Sequence, residues 1–204
     1  MPAHYGLMGL GIMGSAMAAN ILDAGLTLTV HNRTPGKAEA LKRAGAQAAA
    51  VPAELFDICD VLVLMVSDQQ AVEDLLFGHG AEASLAGKVV VNMGTVAPQY
   101  NKRLGERLGE LGADFVEAPV SGSKGPAEQG ELVILAGGRE STVAELAPLF
   151  DAVGKRTVYC GPVGRASTLK ISLNMLLGVM MQGLTEMLDL GSKGGLTREA
   201  MLEV

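Results

Sequence analysis

The segment Gly9-Leu10-Gly11-Ile12-Met13-Gly14 constrains this chain more than any other. It follows a short apolar run, Tyr5 to Met8, and opens a stretch of helix formers, Met13 to Ala24, so three glycines sit where a strand turns sharply into a helix. In that setting each glycine has its own task. The first permits the tight turn, the second lets a ligand approach the backbone, and the third lets the helix pack on the strand. The free N–H groups of the helix start, backed by the helix dipole, hold phosphates. The turn therefore reads as a dinucleotide-binding loop, with Gly9, Gly11, Ile12, Met13 and Gly14 at the pyrophosphate.

Further strand-like runs follow at Leu26 to His31, Val61 to Val66, Lys88 to Asn92, Asp114 to Glu117, Leu132 to Ala136 and Thr157 to Cys160. Between them lie helical stretches at Pro35 to Ala44, Gln69 to Leu76, Pro98 to Leu111 and Ser141 to Asp151. Several of the strand runs are continuously apolar, as expected when helices cover both faces of a sheet. The prediction is an α/β fold over residues 1–162, a Rossmann-type doubly wound, mainly parallel sheet.

From Gly164 the alternation stops and helix formers run unbroken to Ser192-Lys193-Gly194-Gly195, about 40 Å if helical throughout. Apolar residues, among them Leu173, Leu177, Met180 and Leu184, surround its axis, so it should be buried on more than one side. Thr197 is placed to cap another helix, and the chain ends within about two turns of it. Residues 163–204 thus read as a long interdomain helix and the start of an all-helical second domain. We expect a truncated chain lacking most of that domain, and a homo-oligomer, since a further domain or a partner copy must cover the helix.

Composition narrows the function classes. With 49% apolar and 19% charged residues among 204, the chain is not disordered. A net charge of −6 and no Lys/Arg run argue against nucleic acid or an anionic membrane as a partner. Val61 to Val66, the longest clean apolar stretch, is too short to cross a bilayer, and Met1 to His4 lacks a signal-peptide layout, so a cytoplasmic protein is expected. Cys59 and Cys160 lie far apart without a CxxC pattern and read as buried thiols, and His4, His31 and His79 are scattered, so no metal site is expected.

The second strand run decides which dinucleotide. An NAD-binding unit normally ends that strand with an acid that accepts from the ribose 2′-OH, about 20 residues past the glycines. Here the position reads His31-Asn32-Arg33-Thr34, without the acid. The Arg33 guanidinium and Thr34 hydroxyl suit a 2′-phosphate, with Asn32 and Lys37 beside them, so NADP(H) is the expected cofactor. Open α/β sheets bind ligands at the carboxyl ends of their strands, which adds Met65, Val66, Ser67 and Thr95. Thr95 could alternatively cap the next helix.

Two later segments carry chemistry: Glu117-Ala118-Pro119-Val120-Ser121-Gly122-Ser123-Lys124-Gly125-Pro126-Ala127, and Gly161-Pro162-Val163-Gly164 running into Lys170-Ile171-Ser172-Leu173-Asn174. Lys170 and Asn174 are four apart and share a helix face, with Gly178 one turn on removing bulk. An unpartnered ammonium among Leu169, Leu173 and Leu177 would be costly in a dry core, so Lys170 is expected at a cleft. With the glycine turn and Asn32-Arg33-Thr34, these segments resemble the β-hydroxyacid dehydrogenase family over essentially the whole chain. The Ser121 to Glu128 segment is most similar to the NADPH-dependent glyoxylate and succinic semialdehyde reductase branch.

That resemblance implies that Ser121 and Gly122 bind a substrate carboxylate, that Lys170 is the acid/base, and that Asn174 holds the substrate near it. The implied reaction is hydride transfer between NADP(H) and a small carboxylate-bearing aldehyde or hydroxyacid. The segment Asn92-Met93-Gly94-Thr95 stands where many members have Asp-x-Ser-Thr, which predicts a looser loop. Imine reductases share the glycine turn and Asn-Arg-Thr but usually lack the Ser-Gly loop and the lysine. A non-catalytic oligomerisation module on this frame loses the lysine. Ser121 and Lys170 therefore separate the dehydrogenase reading from both rivals.

Overall fold

Nine strands form a single sheet among the described residues, 3–203 of the computed structural model. In chain order they are His4–Met8 (β1), Thr27–His31 (β2), Gln47–Ala48 (β3), Val61–Leu64 (β4), Val89–Asn92 (β5), Asp114–Glu117 (β6), Val120–Ser121 (β7), Leu132–Gly138 (β8) and Gly154–Gly161 (β9). The spatial order is β3-β2-β1-β4-β5-β6-β8-β7, with β9 paired to β8. From β3 to β6 every pairing is parallel, and β8 turns antiparallel to β6 and β7. The expected doubly wound, mainly parallel sheet is what forms. Its strand order reverses between β1 and β4, which opens a crevice at their carboxyl ends.

The helices are Ile12–Asp23 (α1), Glu39–Arg43 (α2), Pro52–Ile58 (α3), Gln69–Phe77 (α4), Pro98–Glu110 (α5), Lys124–Glu128 (α6), Glu140–Glu145 (α7), Ala147–Val153 (α8), Arg165–Lys193 (α9) and Arg198–Leu202 (α10). They cover both faces of the sheet. In β4, Val61 and Val63 join a core cluster with α1 and α8, while Leu62 and Leu64 join the opposite one with α3, α4 and α5. This is the two-residue alternation of a strand buried on both faces, which is why its sequence shows no polar positions.

Several boundaries differ from the sequence reading for identifiable reasons. The helix expected from Ser141 to Asp151 is two helices joined at Leu146, because Pro148 has no N–H for the ladder and its ring disrupts the preceding turn. The helix expected from Pro35 to Ala44 begins as a 3-10 turn over Pro35–Ala38, where Gly36 weakens the α conformation. Helix α3 was not anticipated, although Pro52 at its start and the buried pair Leu55 and Phe56 mark it. Cys59 is buried as expected and its thiol is pushed up to about 11, chiefly by that burial, while Cys160 is only partly covered.

The chain divides into two compact units, Met1–Lys170 and Ile171–Val204, whereas the sequence placed its boundary after residue 162. Met1 and Pro2, part of the segment read for a signal layout, lie outside the described residues. In the second unit, Gly195 at φ +86 ends α9, its N–H meeting the Ser192 carbonyl while Leu196 N–H meets Gly191 O, both at 3.0 Å. This is a Schellman closure, which only glycine adopts readily at the left-handed position. Thr197 caps α10 through the Ala200 N–H, as expected.

In this single chain most of the large apolar residues of α9 are exposed. Met175 is 68% exposed, Val179 65% and Leu190 74%. Contrary to the reading that no segment is long enough for a bilayer, α9 meets that test by length and composition, with a window of mean hydropathy 1.2. A helix apolar on all sides passes the same test when protein covers it.

Candidate functional site: a dinucleotide cleft and a buried carboxylate

The chain leaves β1 at Met8 and turns at Gly9, whose N–H meets the His31 carbonyl at 3.0 Å. Gly9 holds φ +103, and a Cβ there would overlap the Met65 carbonyl oxygen. A Cβ at Gly14 would overlap Gly9's own carbonyl oxygen, so the third glycine lets α1 sit directly on the turn. Gly11 differs from both, since a Cβ there meets no protein atom within 4 Å. The space above Gly11, beside the free first-turn amides of α1, fits the pyrophosphate of a dinucleotide.

A cleft of about 370 Å3 opens from this turn at the β1/β4 reversal. Of the residues expected to hold the cofactor, Gly9, Gly11, Asn32, Arg33, Thr34, Lys37, Met65, Val66 and Ser67 line it. Ile12, 70% exposed, and Met13 and Gly14 lie along α1 outside the lining. Asn32 braces the loop: its Oδ1 accepts from Leu10 N–H at 2.8 Å and its Nδ2 donates to the Thr34 carbonyl at 3.0 Å. The guanidinium of Arg33 and the ammonium of Lys37 remain on exposed residues at the cleft's edge.

Five lining residues escaped the sequence reading: His31, Asp68, Ala71, Asp74 and Leu75. His31 is buried with its Nδ1 at 3.1 Å from the Ala49 carbonyl. Asp74 belongs to α4, and Asp68 caps that helix by accepting from Ala71 N–H at 2.9 Å. That amide, then the Ser67 hydroxyl, hold the Asp68 carboxyl below its usual range, and Arg33 adds a smaller pull. The Ser67-Asp68 pair ahead of a helical stretch is an N-cap signal from which the capping role could have been read.

Asn92 ends β5, and its Oδ1 accepts from Gly94 N–H at 3.1 Å. Asn92, Met93 and Gly94 are all buried, and Gly94 packs where a Cβ would lie 2.6 Å from the Val66 carbonyl oxygen. The expected loosening is not found, since asparagine makes the turn hydrogen bond that an aspartate would. Thr95 is exposed, and the cap of α5 is Ala97, so Thr95 does not cap that helix.

Ser121 closes the two-residue strand β7, and Gly122 follows at φ +144 with Leu132 packed so close that a Cβ would lie 2.7 Å from it. Lys170, half-buried, has its ammonium pulled below the ordinary lysine value by that burial. Lys170 is the last residue of the first unit, and Asn174 lies further along α9 in the second.

Between these segments sits a carboxylate that the sequence reading placed at a strand end without a role. Glu117, the last residue of β6, is 0% exposed. Its Oε1 accepts from Gly164 N–H at 2.6 Å and Ala166 N–H at 2.9 Å, at the start of α9. Its Oε2 accepts from Asn101 Nδ2 at 2.9 Å and the Ser167 hydroxyl at 2.5 Å. Asn101 in turn accepts from Asn92 Nδ2 at 3.1 Å. Nothing in the spacing of Asn92, Asn101, Glu117 and Ser167 announces a network.

The family model for the NAD binding domain of 6-phosphogluconate dehydrogenase matches residues 4–161. Glyoxylate/succinic semialdehyde reductase 1 of Arabidopsis thaliana is 40% identical over 98% of this chain and 70% of its own length. The chain belongs to the β-hydroxyacid dehydrogenase family. Within this family of dehydrogenases and reductases, the chloroplastic glyoxylate/succinic semialdehyde reductase 2 of the same plant is 38% identical over 98% of the chain, which spans 56% of it. The human cytokine-like nuclear factor N-PAC is 35% identical over 98% of the chain, which spans 36% of it. Among solved structures, the family fold recurs in a 3-hydroxyisobutyrate dehydrogenase from Salmonella typhimurium (TM-score 0.88, 30% identity, 98% of this chain and 71% of that one). It recurs also in Psf3 in complex with NADP+ and 2-OPP (0.87, 29%, 98% and 72%) and in an imine reductase of Streptomyces aurantiacus (0.86, 28%, 95% and 68%).

Proposed function

We propose that the protein is an NADP(H)-dependent oxidoreductase that reduces a small carboxylate-bearing aldehyde, with Lys170 as general acid. The observation that carries this reading is Lys170 itself, a half-buried lysine whose ammonium is made more acidic by burial, on the helix whose first turn is tied to the end of β6. Four residues beyond that strand end comes Ser121-Gly122. Bound NADPH supplies the hydride.

The chain's own residues do the rest. The Ser121 hydroxyl and the backbone at Gly122 receive the substrate carboxylate. Protonated Lys170 donates to the carbonyl oxygen as negative charge develops there, and general acids of this kind typically contribute about 10²–10⁴. A lysine shifted down toward neutral pH serves better than one at its ordinary value, because it releases and regains the proton more readily. Preference for NADP(H) rests on Arg33, Thr34 and Lys37 at the cleft edge, in a chain whose β2 ends without the usual ribose-binding acid.

The test is a panel of glyoxylate, succinic semialdehyde, tartronate semialdehyde and methylmalonate semialdehyde, each with NADPH and NADH and the full-length protein. We expect turnover of at least one, faster with NADPH. A protein that binds NADPH yet reduces none overturns the reading. The same null result would support a second reading, a non-catalytic dinucleotide-binding or oligomerisation module. Reduction of cyclic imines alone would instead support an imine reductase.

A further inference from the structure

We infer that Glu117 is a positioning residue, whose buried carboxylate fixes the first turn of α9 on the sheet and so sets where Lys170 stands; this rests on the reading of Lys170 as the acid. The carboxylate joins three segments around the end of β6. Through Asn101 it is bonded to Asn92, which shapes the Gly94-Thr95 turn after β5. Through its own strand it precedes the Ser121-Gly122 loop. Through Gly164 N–H, Ala166 N–H and the Ser167 hydroxyl it holds the start of α9.

The surroundings are shaped around this carboxylate. Both of its oxygens act as acceptors, and four groups donate to them, two of them backbone amides at the start of α9. Gly137 on β8 leaves it room, since a Cβ there would lie 2.7 Å from Oε1. Gly164 holds φ +98, with Lys102 packed into the place of its missing Cβ. Ala166 and Ser167 are the buried residues of α9, and Lys170 lies one turn beyond Ala166 on the same face. A rotation of that first turn therefore moves Lys170 directly.

A buried polar network is weak evidence for stability, because apolar residues of similar volume often do as well. It does specify one geometry, and general acid catalysis depends on geometry. Glu117→Gln keeps the shape but replaces one acceptor with an N–H2 group facing donors.

The experiment compares wild type, Glu117→Gln, Ser167→Ala, Lys170→Ala and the Glu117→Gln/Lys170→Ala double variant in the full-length protein. It reads melting temperature, the Kd for NADPH, and kcat per NADPH-binding site with the best aldehyde substrate. We expect Glu117→Gln to bind NADPH within about twofold of wild type and to lose tenfold or more in kcat. In the Lys170→Ala background the same substitution should cost less than twofold, because it acts through the lysine. A smaller loss in the single variant, or a tenfold loss repeated without Lys170, overturns the inference. If Glu117→Gln does not fold, Ser167→Ala decides on the same cycle with a threshold of threefold. Should Lys170→Ala keep its kcat, the acid role falls and the positioning role falls with it. Loss in Lys170→Ala without loss in Glu117→Gln rejects positioning alone.

Discussion

A methyl group added at Gly14 would strike the carbonyl oxygen of Gly9, whereas one added at Gly11 meets no protein atom within 4 Å. Gly14→Ala should therefore lower stability by about 1–3 kcal/mol, read as a lower urea midpoint. Gly11→Ala should leave that midpoint in place and weaken NADPH binding by about tenfold or more in titration calorimetry, about 1.4 kcal/mol. Arg33→Ala should reduce the NADPH-over-NADH preference in Kd by about ten- to a hundred-fold, the worth of a charged hydrogen bond of roughly 1.5–3 kcal/mol. An unchanged ratio would sink the 2′-phosphate assignment. The pH dependence has a definite sign at Lys170. Reduction needs the ammonium, whose pKa burial lowers, so kcat for reduction should fall with rising pH at a value below 10.5, the ordinary lysine value. Oxidation of the alcohol, which needs the free amine, should rise over the same range.

At the scale of elements, β8 and β6 meet at Gly137, where the missing side chain admits Glu117. Gly137→Ala should displace the carboxylate and lower the melting temperature, and it should also loosen the amides of Gly164 and Ala166 in hydrogen exchange. Much at this scale could be read beforehand. The glycine turn, the second strand end and the continuous apolar runs follow from local periodicity and from the conformational limits of glycine, and they led to the sheet, its crevice and most of the cleft lining. What could not be read depends on contacts distant in sequence. Asn92, Asn101, Glu117 and Ser167 are ordinary polar residues until β5, α5, β6 and α9 bring them together. Pro148 splitting one helix and Pro52 starting another were legible signals that local rules can recover.

For the molecule as a whole, the feature that asks for an explanation is the exposed apolar surface of α9. The proposed explanation is coverage by further protein, with a homo-oligomer contributing. On this account the full-length protein runs as an oligomer in light scattering, and Val179→Asp with Met180→Asp shifts it toward monomer without lowering NADPH affinity. A wild type that is monomeric throughout would remove the oligomer from the account. The central claim remains that Lys170 turns a dinucleotide-binding sheet into a reductase. Its most direct test is kcat for NADPH-dependent aldehyde reduction by the full-length protein, with and without Lys170→Ala, after NADPH binding is shown to be equal. The account predicts a loss of about a hundredfold or more. Retention of more than about a tenth of the wild-type kcat would contradict it.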